Sequence, residues 1–242
     1  MEQTDIVISH LCQSYGRKQA LDDVNLIIPQ GMFGLLGRNG AGKTTLMKTL
    51  ATLLAPKSGR ISVYGIPVER AADIRKITGY LPQDFSMYPS MKVAEALDYL
   101  GVLSGMGAAL RKQRTAEVLE RVNLADRAQS RVSSLSGGMR RRLGIAQALL
   151  HDPKVIIADE PTAGLDPEER ARFRELLQET AREKTVLLST HIVSDIEEAC
   201  ERIAILDGGH VRYDGTVAGL LAETDTDNME QAYIRCIHQG EV

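Results

Sequence analysis

A chain of 242 residues, 43% hydrophobic and 25% charged, can bury one sizeable core, or one core with a smaller lobe. Its net charge of −3 gives no basic footprint for nucleic acid, which is not expected as a partner, although the local run Arg140-Arg141-Arg142 needs its own explanation. No apolar run approaches the length that crosses a bilayer, and Met1-Glu2-Gln3-Thr4-Asp5 has neither the basic nor the apolar part of a signal peptide, so a cytoplasmic place is expected. Cys12, Cys200 and Cys236 are single and far apart, and read as small apolar residues rather than a disulfide framework or a zinc site.

Ile6 to Leu11 and Val24 to Ile28 predict short strands of alternating character, joined by the polar stretch Gln13 to Asp23 into an antiparallel flap. Tyr15 in that connection could stack on an adenine or simply pack at a strand end, and the sequence leaves both readings open. The stretch Gly37-Arg38-Asn39-Gly40-Ala41-Gly42-Lys43-Thr44-Thr45 fills every fixed position of G-x-x-x-x-G-K-[ST]. It follows the apolar run Met32 to Leu36 and precedes the helical pattern Leu46, Met47, Leu50, the strand–loop–helix setting this motif requires. Small residues let successive backbone N–H groups converge on phosphate oxygens, and the helix points the positive end of its dipole at the same anion. Lys43 is then placed to contact β- and γ-phosphates, and the Thr44 hydroxyl a bridging magnesium ion. A glycine-rich turn with a stray lysine is the alternative, but a nucleotide is the expected ligand.

Ala55 to Gly59 reads as a turn, with Ile61 and Val63 in a strand that completes the flap at Gly65. Ile77 to Leu81 is a further apolar segment closed by Pro82-Gln83-Asp84. Gln83 either reaches a metal ion or the attacking water, or is an exposed loop amide, and Phe85, Met87, Tyr88 and Met91 beside it suggest an adaptable apolar surface for a partner. Ser90 is expected to cap a helix to about Leu103, and Leu110, Leu119, Val122 and Leu124 mark a second one. Residues 84–150 therefore read as wholly helical, a candidate lobe inserted into an α/β core.

Ser136, Gly137 and Gly138 open the amphipathic helix Arg140 to Leu150, giving a second helix start suited to a phosphate, a plain serine cap being the alternative. Val155 to Ala158 has the continuous apolar character of a strand buried on both faces, and it ends in Asp159-Glu160, where open α/β sheets bind ligands. Asp159 is expected to hold the magnesium shell and Glu160 to polarise a water in line with the γ-phosphate. Asp166-Pro167-Glu168-Glu169 carries an Asp cap with Pro at the first helical position, which accounts for Asp166 without a function. Val186 to Thr190 reads as a buried strand with His191 beyond it, able to reach a γ-phosphate, and Ser194 to Glu197 as the cap of the next helix. Ile203 to Leu206, the turn Asp207-Gly208-Gly209 and Val211 to Tyr213 close the domain; Thr224 to Asn228 reads as polar and mobile, and Met229 to Ile237 as a short last helix.

With these motifs in this order, the chain from Ile6 to about Leu221 resembles the ATP-binding subunit of ATP-binding-cassette transporters. The resemblance implies a P-loop NTPase core of mainly parallel α/β sheet with an antiparallel flap and an inserted α-helical subdomain, as one domain over 1–242: core 1–83 and 151–223, helical signature segment 84–150, short tail 224–242. It implies that Tyr15 matches the adenine-stacking position, Gln83 the glutamine loop, Ser136 to Gly138 the signature, Glu160 the catalytic glutamate, Asp166 the loop communicating across a dimer, and His191 the switch histidine. It further implies ATP and magnesium as ligands, a second ATP-binding subunit (the same chain or another) clamping two ATP molecules head to tail, and separate transmembrane permease subunits at the cytoplasmic face of the cell membrane. Gly34 to Gly37 and Pro161 to Pro167 look like the drug, antibiotic and bacteriocin exporter branch. Met139, where the family usually has Gln, and Arg38, rare at its position, are departures that remove no proposed phosphate ligand. A soluble assembly ATPase on the same cassette is the competing reading; Glu160 and His191 speak against a binder that does not hydrolyse, and the lack of Asn-Lys-x-Asp against a GTPase.

Overall fold

The computed structural model describes residues 5–238. The reading of the first residues as lacking a signal, apart from Asp5, and the last four residues of the 224–242 tail lie outside them.

β1 (Ile6–Tyr15) and β2 (Lys18–Ile28) form an antiparallel hairpin in register from Ile6↔Ile28 to Tyr15↔Lys18, turned at Gly16 (φ +58) and Arg17. The polar stretch from Gln13 to Asp23 is therefore mostly strand rather than a connection: apart from Gln13, which is buried and accepts Lys57 N–H, its polar side chains are exposed or half-exposed, which alternation permits. β1 also pairs with β4 (Ser58–Val63), which pairs with the two-residue β5 (Ile66–Pro67), giving a four-stranded flap in the order β2-β1-β4-β5.

The second sheet has six strands in the order β10-β9-β3-β8-β7-β6. β3 (Gly31–Leu36), β6 (Thr78–Leu81), β7 (Val155–Asp159), β8 (Thr185–Thr190) and β9 (Arg202–Asp207) run parallel, and only the edge strand β10 (His210–Thr216) is antiparallel. Every residue of β7 and β8 is buried, as parallel strands covered on both faces must be. On one face Phe33, Leu35, Ile157 and Leu187 pack with Leu46, Met47 and Leu50 of α1 (Lys43–Leu50) and with the flap's Ile8, Leu26 and Val63. On the other, Leu36, Ile156, Leu188 and Ile205 pack with α5 (Gly137–Leu149), α6 (Pro167–Ala181) and α7 (Val193–Ala199).

Between β6 and β7 lie α3 (Val93–Leu103), α4 (Ala108–Arg121), two single 3-10 turns and α5. The segment is not wholly helical: residues 82–92 form a loop, and Lys92 makes a lone bridge to Arg131. Ser90 does not cap α3, because the chain turns at Pro89-Ser90, and the carbonyls of Pro89 and Met91 on either side accept the N–H groups of Ser133 and Val132. The helix begins after Lys92, whose N–H donates to the Glu95 carboxylate at 3.1 Å. α5 is pressed onto the sheet edge: a Cβ at Gly79 would run into the carbonyl of Ala148, and one at Gly144 would meet Leu81 Cδ1 at 2.5 Å.

Ser194 does not cap α7 either; Ile192 stands at the cap and Thr190 Oγ1 accepts its N–H. Two helices escaped the sequence reading, α2 (Ala71–Ile77) and α8 (Val217–Glu223), the latter capped by the Thr216 hydroxyl. The expected mobility of Thr224 to Asn228 is also corrected. Thr224 is buried and donates to Leu220 O at 2.7 Å, Arg235 of α9 (Met229–His238) donates to the carbonyls of Thr224 and Asp225, and Asn228 accepts from Gln231 N–H at 2.9 Å. The cysteines are buried or half-buried free thiols, as expected, and burial pushes the Cys200 pKa up to about 12. Among the described residues no helix is long and apolar enough to cross a membrane.

Candidate active site

The phosphate loop leaves β3 at Gly37, whose N–H donates to Thr190 O across the sheet, and it ends at Gly42, the residue before α1. Gly40 (φ +85) and Gly42 (φ +111) take left-handed conformations, and a Cβ on Gly42 would meet Ala20 O of β2 at 2.5 Å. The flap is thus seated directly against the loop. Gly37 and Ala41 lie beneath it, buried toward the core, whereas Asn39, Gly40, Gly42, Lys43, Thr44 and Thr45 line a cavity of about 310 Å³. Half-exposed Tyr15, Gln83 and Glu160 line the same cavity.

Lys43 is 5% exposed, and its ammonium donates to the carbonyls of Gly37 (2.7 Å) and Arg38 (3.3 Å) while pairing with Glu160 Oε1 at 3.2 Å. The other Glu160 oxygen meets His191 Nδ1 at 2.6 Å. Glu160 itself stands in the left-handed region (φ +48), its N–H held by both the carbonyl and the hydroxyl of Ser189. The same hydroxyl donates to Asp159 Oδ1 at 2.6 Å, so Ser189 fixes both acids at once. Asp159 is fully buried, and its Oδ2 has no partner among the described residues. A buried carboxylate oxygen without a donor suits a cation or a cation's water; Thr44 and Gln83 line the cavity together with Glu160, the residue after Asp159, and the oxygens of Asp159, Thr44 and Gln83 are a fitting donor set for magnesium.

Ser136, Gly137, Gly138 and Asp166 are not brought to this cavity. Ser136 caps α5, accepting Met139 N–H at 3.2 Å, and Asp166 caps α6, accepting Glu169 N–H at 2.9 Å. Both are exposed, and Gly137 lines a separate hollow of about 240 Å³ with Gln83, Arg141 and Ala163.

Two groups were missed by sequence reasoning. Arg141 reaches in from α5 to donate to the carbonyls of Gln83, Glu160 and Ala163; burial pulls its pKa down, though a guanidinium stays charged. Its signal was the run of three arginines, of which Arg142 instead pairs with Glu169 at 3.3 Å. Fully buried Asp195 accepts the Thr162 hydroxyl at 2.6 Å, two residues past Glu160, and no motif marks it.

The sequence model of the ABC transporter family matches residues 21–163, more than half of the chain. The chain belongs to the ABC transporter family. It is 40% identical over 228 residues to the Nod factor export ATP-binding protein I of Paraburkholderia xenovorans, covering 92% of this chain and 74% of that protein. It is likewise 40% identical over 233 residues to the daunorubicin resistance ATP-binding protein DrrA3 of Streptomyces coeruleorubidus, covering 95% and 74%. Among solved structures, it matches a dimeric post-hydrolysis state of the ATP-binding cassette MJ0796 bound to ADP and Pi with a TM-score of 0.78 and 26% identity, over 87% of this chain and 98% of that one. This ABC chain is accordingly an ATP-binding subunit with the α/β P-loop fold of such cassettes.

Proposed function

We propose that this ABC subunit hydrolyses ATP as the motor of an exporter, driving separate transmembrane permease subunits from the cytoplasmic face of the membrane. The observation that carries hydrolysis is Glu160, held at the end of a buried strand between Lys43 and His191 and facing the phosphate-loop cavity. A phosphate on the loop competes for the Lys43 ammonium and releases Glu160 Oε1 to orient and deprotonate a water. His191, bonded through Nδ1, then fixes the second carboxylate oxygen and presents its ring toward the γ-phosphate. Tyr15 offers its face to the adenine. Thr44, Asp159 and Gln83 are the residues that would hold magnesium, which supplies charge neutralisation on the β- and γ-phosphates.

Ser136, Gly137 and Asp166 lie exposed and Gly138 half-buried, none of them lining their own chain's cavity, which supports their serving the site of a second subunit, identical or homologous. In this reading residues 84–150 form the helical signature lobe, 1–83 and 151–223 the ATP-binding core, and 224–242 a short tail. Similarity to export and resistance proteins supports the exporter direction. Glu160→Gln is expected to keep ATP binding while losing turnover by roughly 100-fold or more and accumulating an ATP-bound dimer in sedimentation with magnesium. Turnover equal to the parent would remove Glu160 from the role of base.

A further inference from the structure

The signature helix and the catalytic strand meet at one side chain. Arg141 lies on the first turns of α5 and is only partly accessible. Its Nη1 donates to the carbonyl of Gln83, in the loop after β6, and its Nη2 to Glu160 O (3.2 Å) and Ala163 O (3.4 Å), on the loop after β7. These carbonyls belong to segments with no regular hydrogen-bond ladder between them, since β6 and β7 stop pairing at Leu81 and Ala158. Charge-assisted bonds to backbone oxygens fix main-chain position rather than side-chain chemistry, and only a planar guanidinium can serve both loops at once. Arg140 and Arg142 do neither: Arg140 donates to Leu135 O, just ahead of its own helix, and Arg142 bonds to Val122 O, Asn123 O and Glu169.

We infer that Arg141 is a positioning residue that ties the backbone of Gln83 to the backbone of Glu160, so that displacement of the glutamine loop is transmitted to the catalytic carboxylate. Arg141 touches no nucleotide-facing atom; it acts through the loop after β6 and the residue after Asp159. This rests on the hydrolytic reading of Glu160.

The test is a double-mutant cycle on the full chain with Gln83→Ala, Arg141→Ala and the double variant, with Arg141→Lys as the conservative control. Arg141→Ala is expected to lower kcat about tenfold with KM for ATP within about twofold, because the lost contact orients the chemistry and not the substrate. The double variant should fall no further than about the worse single variant, since Gln83→Ala removes the side chain whose engagement moves the loop and Arg141→Ala removes the tie that carries that movement to Glu160, whereas independent roles would multiply to about a hundredfold. Arg141→Lys, whose single ammonium cannot span the two loops, should stay well below the parent. Millimolar methylguanidinium should restore part of the alanine variant's kcat and leave the parent unchanged.

Hydrogen exchange reads the same connection without turnover: amides of 82–86 and 160–165 should lose protection together by about tenfold in both position-141 variants, with those of β9 unchanged. Multiplying effects, a lysine variant equal to the parent, a change confined to KM, or deprotection of one loop alone each overturns the proposal. Should the alanine variant not fold, the lysine variant carries every arm. A parent that shows the exchange coupling yet no ATPase overturns the hydrolytic reading and leaves the positioning role standing.

Discussion

Glu160 combines two costs that only a determined environment sustains. A left-handed backbone is unfavourable by about 1–3 kcal/mol for such a residue, and a buried carboxylate requires partners for both oxygens. Ser189 meets the first by clasping the Glu160 N–H; Lys43 and His191 meet the second. Asp195 makes the complementary case, a fully buried acid whose bond to Thr162 stabilises the loop that follows Glu160, with Arg174 at 3.6 Å and Arg170 at 3.9 Å. Asp195→Ala strands the Thr162 hydroxyl and removes the carboxylate that faces Arg170 and Arg174, of which Arg174 keeps Glu198, so it should cost about 1–3 kcal/mol in a urea melt, while Asp195→Asn, which can still accept from Thr162, should cost less. His151 supplies a pH prediction. Burial, the main cause, holds its pKa below the ordinary 6.5, and its Nε2 has no partner among the described residues. Because the folded value is the lower one, its contribution is present above pH 6.5 and lost as pH falls through the folded value. The melting temperature should therefore drop as pH falls below 6.5, and His151→Asn should make that drop shallower.

At the scale of elements, the contact of α5 with β6 is set by glycine. Gly79→Ala drives a methyl into the Ala148 carbonyl, a clash of backbone against backbone, and should lower stability by about 1–3 kcal/mol, several degrees in a thermal melt. Beside this contact a groove of about 840 Å³ is walled by Phe85, Met87, Tyr88 and Pro89 over Tyr80 and Leu100. The buried Tyr80 hydroxyl has no hydrogen-bond partner among the described residues. Replacing Met87 and Tyr88 by Ser should reduce co-purification with the membrane partner and leave ATP binding intact; undiminished co-purification would move the interface elsewhere.

The sequence announced the elements whose rule is local. The phosphate loop, the two capped helix starts at Ser136 and Asp166, and the apolar strands were all legible because motif, cap and burial pattern are written in consecutive residues. The hairpin was shortened because polar residues on the open face of a ladder look like loop, and α2 and α8 were missed because seven-residue helices carry too few turns for a clear period. Ser90 and Ser194 misled for a similar reason: the backbone around them had found other partners. Arg141 and Asp195 bind across 19 to 58 residues of chain, and no window of sequence reports that.

For the whole molecule, the divided site proposed above makes a strong expectation. Lys43 and Ser136 sit on different surfaces of one chain, so homodimers of Lys43→Ala and of Ser136→Arg should both be inactive. Mixing them gathers both lesions into one of two composite sites and leaves the other whole. ATPase activity should return in part, at most about half per mixed dimer, and tagged subunits can show that exchange took place. No recovery with exchange demonstrated would mean that both sites must fire together or that the signature serves its own chain.

The two glycine contacts also divide α5 mechanically. Its far half, at Gly144 and Ala148, is bolted to the rim of the sheet, whereas its near end, with Ser136, is tied down chiefly by arginine side chains. Such a helix is a lever with a fulcrum: the twelve residues from Gly137 to Ala148 span about 16 Å, so a tilt of about 15° about the Ala148 contact sweeps the signature through roughly 4 Å. Small hinge rotations there open or shut a gap of hydrogen-bond size while the sheet that bears Glu160 stays still.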